Sequence, residues 1–90
     1  MTIEEQFEIA KQKILTLEEK PGNETMLELY RFNKQAIVGD LNIDPPKMFD
    51  FVAAAKYNAW KSVTGMSREE AMSKYINLVE TLTENKRKMY

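Results

Sequence analysis

The sequence contains no histidine and no cysteine among its 90 residues. The absence of cysteine excludes disulfides, thiolate nucleophiles and cysteine-ligated zinc. The absence of histidine excludes imidazole bases, serine–histidine triads and histidine metal ligands. Asp, Glu, Lys and Tyr remain for acid–base chemistry, and no pair of them stands out by spacing. We therefore expect a protein that is not an enzyme and that uses neither a metal nor a cofactor.

Long hydrophobic runs are also missing from the chain. No segment approaches the ~18 apolar residues that suggest a membrane-spanning helix, and the acidic N-terminus, MTIEEQFEIAKQKI, does not resemble a signal peptide. The length fits a single domain, 1–90, that buries roughly 60–65% of its unfolded surface, which favours a surface groove over an enclosed cavity. We expect a cytoplasmic monomer without stable membrane insertion.

The charges nearly cancel, because 13 basic and 14 acidic side chains leave a net charge of −1. This balance gives no general attraction to nucleic acid, and we expect no nucleic-acid partner. The distribution is uneven, however. Residues 31–61 contain three acids against five bases, which are Arg31, Lys34, Lys47, Lys56 and Lys61. A local positive site suits a small anionic ligand better than a long polyanion.

Turn residues divide the chain into four helical patterns, at 3–17, 24–38, 48–62 and from Ser67 onward. Capping boxes begin the first and the fourth: Thr2 with Glu5, and Ser67 with Glu70. Asn23 is the predicted N-cap of the second, and the basic tail 85–88 suits a helix C-terminus. The alternation typical of strands is almost absent, so the sequence predicts an all-α domain of four helices.

Two lysines and a tyrosine form a candidate anion site. Tyr30 and Lys34 share a face of the second helix, while Lys56 lies on the third. If these helices pack together, two ammonium groups and a phenol can converge on one phosphate. Taken singly, each residue also fits a simpler interpretation, as a solvated lysine or a core tyrosine with its hydroxyl at the rim.

Three groups of residues together resemble the signature of the acyl-CoA-binding protein family. They are Lys34–Asp40 (KQAIVGD), then Pro46, Met48 and Asp50, then Ala55–Trp60 (AKYNAW). The family pattern is K-Q-A-x-x-G-D, P-x-M-x-D and K-A-K-W-x-A-W, in this order and at these intervals. The resemblance extends over roughly residues 3–83.

The resemblance implies a four-helix bundle of up-down-down-up order, in which the helices do not simply alternate. It also implies one-to-one binding of medium- and long-chain fatty acyl-CoA, and a carrier and buffer role in fatty acid metabolism without catalysis. Three positions match the family's contacts to the 3′-phosphate and adenosine: Tyr30, Lys34 and Lys56. Asn33 and Tyr75 match other head-group positions, and Met26, Leu27 and Ala55 match positions beside the acyl chain.

The sequence departs from the family pattern at several positions. Asn33 stands where a tyrosine usually faces the adenine, and Leu15 stands where a lysine that can approach the head group is common. Three further departures are Lys47 for glycine, Ala54 for lysine and Tyr57 for tryptophan.

Two other classes of function remain open at this point. One is a helical protein–protein interaction module with a degraded ligand site, or a nucleic-acid-binding module, using a basic face of Arg31, Lys34, Lys56 and Lys61. The other is an enzyme, since domains of this type also occur fused to enzymes, although no catalytic constellation is evident. Outside the acyl groove itself, we expect no large exposed apolar surface.

Overall fold

Four helices make up the regular structure of the protein, described here from a computed structural model. It describes residues 1–87, with side chains up to Glu84. The helices are α1 (Ile3–Ile14), α2 (Asn23–Ile37), α3 (Phe51–Lys61) and α4 (Arg68–Arg87). Residues 1–87 contain no strand, so the predicted all-α class is confirmed. The side chains of the predicted basic tail, 85–88, lie outside the described part.

The order of packing differs from the order along the chain. Helix α4 packs against both α1 and α2, and α3 packs against α2. Within residues 1–87, the consecutive helices α1 and α2 make no contact with each other, and neither do α3 and α4. The bundle is therefore not a simple up-and-down arrangement, in which each helix packs against its successor.

The main core lies where α4 meets α1 and α2. Its buried residues are Phe7, Ala10, Leu29, Ala36, Ala71, Tyr75 and Val79. The rings of Phe7 and Tyr75 meet edge to face, with centroids 5.1 Å apart and planes at 71°. Such a pair contributes about 0.5–1.5 kcal/mol beyond the area that it buries. Three of the seven residues are alanines, which allow the helices to approach closely.

A buried glutamine joins the end of α2 to the connection between α3 and α4. Gln35 is 1% exposed, and its amide donates hydrogen bonds of 2.8 Å to Asp40 Oδ1 and to the Met66 carbonyl. The Gly65 N–H donates a third, also of 2.8 Å, to Asp40 Oδ1. The Gly65 N–H and, next, the Gln35 amide lower the pKa of Asp40, because both donate to the carboxylate. The Gln-x-x-x-x-Asp spacing is thus structural.

Trp60 fixes α3 to the end of α2 in a similar way. Its side chain is 2% exposed, and its indole Nε1 donates a 2.9 Å hydrogen bond to the Gly39 carbonyl. Gly39 itself has a φ of 96°, a conformation that glycine adopts without the steric cost of a side chain. Trp60 is therefore both buried and hydrogen-bonded.

The predicted capping box of α1 is confirmed, because Thr2 and Glu5 form both of its reciprocal hydrogen bonds. At the start of α4 one half of the predicted box is present, in which Ser67 Oγ accepts from the Glu70 N–H at 3.0 Å. The prediction of Asn23 as an N-cap is wrong, because Gly22 occupies that position and Asn23 is the first residue of α2. Since Gly22 has no side chain, α2 begins without a side-chain hydrogen bond at its N-cap.

Two predicted helices are shorter than their apolar patterns. Helix α1 ends at Ile14, with Leu15 as C-cap, instead of at residue 17. Helix α3 begins at Phe51 instead of residue 48, because Phe49 has a φ of 78° and the Asp50 carboxylate caps the Ala53 N–H at 3.1 Å. A residue with positive φ cannot continue a right-handed helix. Residues 48–50 consequently belong to a loop, and their side chains are exposed.

Candidate ligand-binding cleft

An open cleft of about 1080 Å³ lies between the end of α1, the first half of α2 and the start of α3. Its aliphatic and aromatic lining consists of Ile14, Leu15, Leu17, Pro21, Met26, Leu27, Leu29, Tyr30, Phe51, Val52, Ala55 and Tyr75. Its polar and charged lining consists of Lys11, Glu18, Glu19, Lys20, Asn23, Asn33 and Lys56. The cleft is a surface groove, as the size of the chain suggests, and one wall of it can accept an aliphatic chain.

Helices α2 and α3 provide the facing apolar walls. Met26 and Leu27 come from the first turns of α2, where Met26 is 37% exposed. Ala55 lies on α3, and its small side chain leaves room between the helices. These three residues, predicted to lie beside an acyl chain, all line the same cleft.

Two ammonium groups converge on the ring of Tyr30. The Nζ atom of Lys34 lies 5.9 Å from the centroid of this ring, and that of Lys56 lies 5.6 Å from it. Lys34 Nζ is also 5.5 Å from the Trp60 ring, so the tryptophan that holds α3 against α2 supports this lysine as well. All three distances are within cation–π range. Lysines from two helices, α2 and α3, thus meet at one tyrosine, the arrangement inferred from the spacing.

Neither of these lysines is neutralised by the rest of the described chain. Lys11 and Glu8 form an ion pair at 2.9 Å on α1. Among the side chains described, Lys34 and Lys56 form none. Their two positive charges are consequently available to an anion beside the Tyr30 ring, and Lys56 also lines the cleft.

Asn33 and Tyr75 contribute polar atoms of different character. Asn33 lines the cleft, and its Oδ1 atom is buried without a hydrogen-bond partner in the described chain. Tyr75 lines the cleft from α4, and burial raises the pKa of its phenol, which keeps the group neutral and able to donate at neutral pH.

Seven of the eight predicted site residues line the cleft. Lys34 is not in the lining, and its ammonium group lies 5.9 Å from the centroid of the Tyr30 ring. Sequence reasoning missed several lining residues, among them Phe51 and Val52. Their positions four and three residues before Ala55 place them on its helical face, a signal that was available. Leu15, one of the departures from the family pattern, also lines the cleft and is 76% exposed.

The family model described as "Acyl CoA binding protein" matches residues 4–79. The chain belongs to the acyl-CoA-binding protein family. A crystal structure of an acyl-CoA-binding protein of this family, Oryza sativa Acyl-CoA-Binding Protein 2, superposes with a TM-score of 0.93 at 38% identity, covering 99% of each chain. The predicted fold class, a four-helix bundle of the acyl-CoA-binding-protein type, is therefore confirmed.

Curated relatives agree with this assignment to the family. The acyl-CoA-binding protein of Gossypium hirsutum is 45% identical over 84 residues, which are 93% of this chain and 94% of the relative. Acyl-CoA-binding domain-containing protein 3 of Oryza sativa subsp. japonica is 48% identical over 84 residues. The chain spans 54% of the length of this rice protein.

The described part of the chain, residues 1–87, has neither a cluster of metal ligands nor a membrane-spanning helix. No group of three or more carboxylate side chains there is arranged to hold a metal ion. None of the four helices is both long enough and apolar enough to cross a bilayer.

Proposed function

We propose that this protein binds medium- and long-chain fatty acyl-CoA esters one to one. In this proposal it is a single acyl-CoA-binding domain that works as a monomeric cytoplasmic carrier and buffer, and it catalyses no reaction. The observation that carries the proposal is a single cleft whose lining includes both an apolar wall and Lys56, with Lys34 at the Tyr30 ring that also lines it. An amphiphile with an aliphatic chain and a phosphorylated head matches both ends at once.

The apolar wall supplies most of the gross binding energy. Burial of a methylene contributes about 0.8 kcal/mol, so 10–15 of them contribute roughly 8–12 kcal/mol. Ordering the chain and losing translational freedom takes back about 4–15 kcal/mol, depending on the reference model. The chain alone therefore binds weakly, and a free fatty acid is a poor ligand.

The charged end discriminates in favour of coenzyme A. Lys34 and Lys56 act as mobile point charges toward the ribose 3′-phosphate, and the Tyr30 hydroxyl adds a directed donor. Coenzyme A without an acyl chain gains these contacts but leaves the apolar wall exposed. Both halves of the ligand are consequently needed for tight binding.

Asn33 and Tyr75 complete the head-group end in this proposal. The unpartnered Asn33 Oδ1 accepts from a donor of the head group after a small rotation of the side chain. An aromatic ring at this position would instead stack on a base, a contact worth roughly 1–3 kcal/mol. The hydrogen bond therefore offsets part of a lost stacking contact. Tyr75 offers its neutral phenol.

Isothermal titration calorimetry with palmitoyl-CoA, coenzyme A and palmitate tests this function directly. We expect one-to-one binding of palmitoyl-CoA that is far tighter than binding of either half. Equal affinity for palmitate would contradict the role of the lysines. Absence of palmitoyl-CoA binding would overturn the proposal and favour the interaction-module hypothesis.

A further inference from the structure

Asn33 is a cleft residue whose hydrogen-bonding groups the fold leaves unused. Three described side chains have a buried polar atom without a partner, those of Arg31, Asn33 and Gln35. Arg31 and Gln35 donate hydrogen bonds from other atoms of the same side chains. The Asn33 side chain makes no hydrogen bond to the described chain, and of the three it alone lines the cleft. Folded proteins rarely leave such groups without a partner, so this amide is suited to a ligand that brings one.

Helical geometry places Asn33 beside the lysines at the Tyr30 ring. Asn33 follows Tyr30 by three residues on α2 and directly precedes Lys34, so Asn33 and Tyr30 are neighbours on one face of the helix. Both residues line the cleft, and the ammonium groups of Lys34 and Lys56 lie 5.9 and 5.6 Å from the centre of the Tyr30 ring. In the proposed complex the ribose 3′-phosphate lies beside this ring. The adenine is attached to the same ribose, so a phosphate held there brings the base within reach of Asn33.

The aromatic rings of the cleft are poorly placed to hold this base by stacking. Tyr75 is 6% exposed, so almost none of its ring is open to a base. The Tyr30 ring already has two ammonium groups near it. Phe51 lies five residues before Lys56, which is more than one turn of α3 away. Hydrogen bonds to the edge of the base are therefore the means of recognition that the cleft offers beside Tyr30.

The side-chain amide of asparagine is complementary to one edge of adenine. Its Oδ1 accepts a hydrogen bond and its Nδ2 donates. Adenine presents a donor, the exocyclic amine N6, next to an acceptor, N7, and an asparagine pairs with both atoms in protein–DNA complexes. A half-turn about the last bond of the side chain exchanges Oδ1 and Nδ2, so either edge of the amide can face the cleft. Hypoxanthine carries a carbonyl in place of the amine, so it presents two acceptors along the same edge and does not fit the amide.

We propose that Asn33 recognises the adenine base of the ligand through a pair of hydrogen bonds, in which Oδ1 accepts from the N6 amine and Nδ2 donates to N7. This inference rests on the proposed function and deepens it, because it makes acyl-CoA binding selective for the base as well as for the phosphate. Stacking would give little such selectivity, since every base has a face that can stack. The amide that the fold leaves without partners gains both of its hydrogen bonds when the ligand binds.

Titration calorimetry with two ligands tests the role of Asn33. They are palmitoyl-CoA and the same compound with its adenine deaminated to hypoxanthine. The variant is Asn33→Leu, which keeps the approximate size of the side chain and removes both polar atoms. The matched control is Asn23→Leu, because Asn23 also lines the cleft on α2 but lies ten residues, about 15 Å, from Asn33. Circular dichroism and unfolding in urea check that both variants fold.

We expect the wild type to bind the hypoxanthine ligand roughly 5- to 150-fold more weakly than palmitoyl-CoA, which is the discrimination typical of a bidentate pair. The Asn33→Leu variant should bind palmitoyl-CoA more weakly than the wild type does, and should bind the two ligands about equally. The Asn23→Leu variant should keep the wild-type ratio of the two affinities, whatever its effect on each affinity.

Three results would overturn the proposed role of Asn33. They are equal affinity of the wild type for both ligands, retention of the wild-type ratio in Asn33→Leu, and loss of the ratio to the same extent in Asn23→Leu. The first is measured on the wild type alone, so the test stands even if a variant does not fold. Absent binding of palmitoyl-CoA by the wild type is a different result, which would overturn the proposed function and this inference with it.

Discussion

Replacing Lys56 with methionine isolates the contribution of one ammonium group to binding. Methionine keeps an unbranched, apolar side chain of similar length, so the change removes mainly the charge. In the structure this charge is 5.6 Å from the centre of the Tyr30 ring, on a side chain that is exposed. A phosphate held about 4 Å from it interacts by about 1 kcal/mol per unit charge in water and about 4 kcal/mol near a protein surface.

Exposure places the contribution of Lys56 near the lower of these limits. We take about 1–2 kcal/mol, which means that Lys56→Met weakens palmitoyl-CoA binding by roughly 5–30-fold. The loss of affinity should become smaller as salt is added, because salt screens the attraction between the exposed ammonium group and the phosphate. Lys34 is half-buried and lies against two aromatic rings, so its removal should cost at least as much.

The assay compares two ligands, palmitoyl-CoA and its 3′-dephospho analogue, by titration calorimetry. The Lys56→Met variant should lose affinity for the first and keep its affinity for the second within about twofold. Lys61→Met is the matched control, because it removes the same charge from the same helix outside the cleft lining. Equal losses on both ligands, or an equal loss in the control, would refute a specific contact between Lys56 and the 3′-phosphate.

Three further variants test the scaffold and the cleft. Trp60→Phe removes the hydrogen bond from the indole to the Gly39 carbonyl and part of a buried ring. It should therefore lower the free energy of unfolding, measured in urea, by about 2–4 kcal/mol. A decrease of less than about 0.5 kcal/mol would contradict the role of this hydrogen bond. The lowered pKa of Asp40 stabilises the fold above about pH 4, and this contribution is lost as the pH falls further. The difference in unfolding free energy between wild type and Asp40→Asn should therefore become smaller as the pH falls. A difference that stays constant down to about pH 2 would refute this contribution of Asp40. Ala55→Leu adds volume inside the cleft, so it should weaken the binding of palmitoyl-CoA about tenfold or more and that of octanoyl-CoA less. If calorimetry finds an equal loss of affinity for both ligands, Ala55 does not contact the acyl chain.

Local features of the structure could be predicted from the sequence because their causes are local. The Thr2–Glu5 capping box needs two residues three apart, and it is present. Lys34 lies four residues after Tyr30, so helical geometry alone puts them on one face. Lys56 reaches the same ring only if α3 packs against α2, and this packing is observed.

Features that depend on distant partners could not be derived from spacing. Gln35 is bonded to the carbonyl of Met66, 31 residues away, and Asp40 is bonded to the amide of Gly65, 25 residues away. Neither pattern reveals a partner before the chain is folded. The resemblance to a family identified this group of residues, but only the structure explains what Gln35 and Asp40 do.

The wrong start of α3 shows where periodicity misleads. Phe49 fits the apolar stripe that continues through Val52, so the pattern predicts helix from residue 48. The positive φ of Phe49 places this ring in solvent instead, where it is 79% exposed. Periodicity therefore assigned to the helix a phenylalanine that belongs to the loop before α3.

The neighbours Lys34 and Gln35 show how scaffold and site depend on each other. One side chain reaches the Tyr30 ring, and the next is 1% exposed in the core. The rotation of α2 about its axis therefore determines where both side chains lie. Trp60 contributes to both, because it is hydrogen-bonded at the end of α2 and contacts the Lys34 ammonium group. It follows that loss of the Lys34 charge should weaken binding at unchanged stability. Loss of the Gln35 or Trp60 hydrogen bonds should lower stability and affinity together, because the lysine then loses its fixed position.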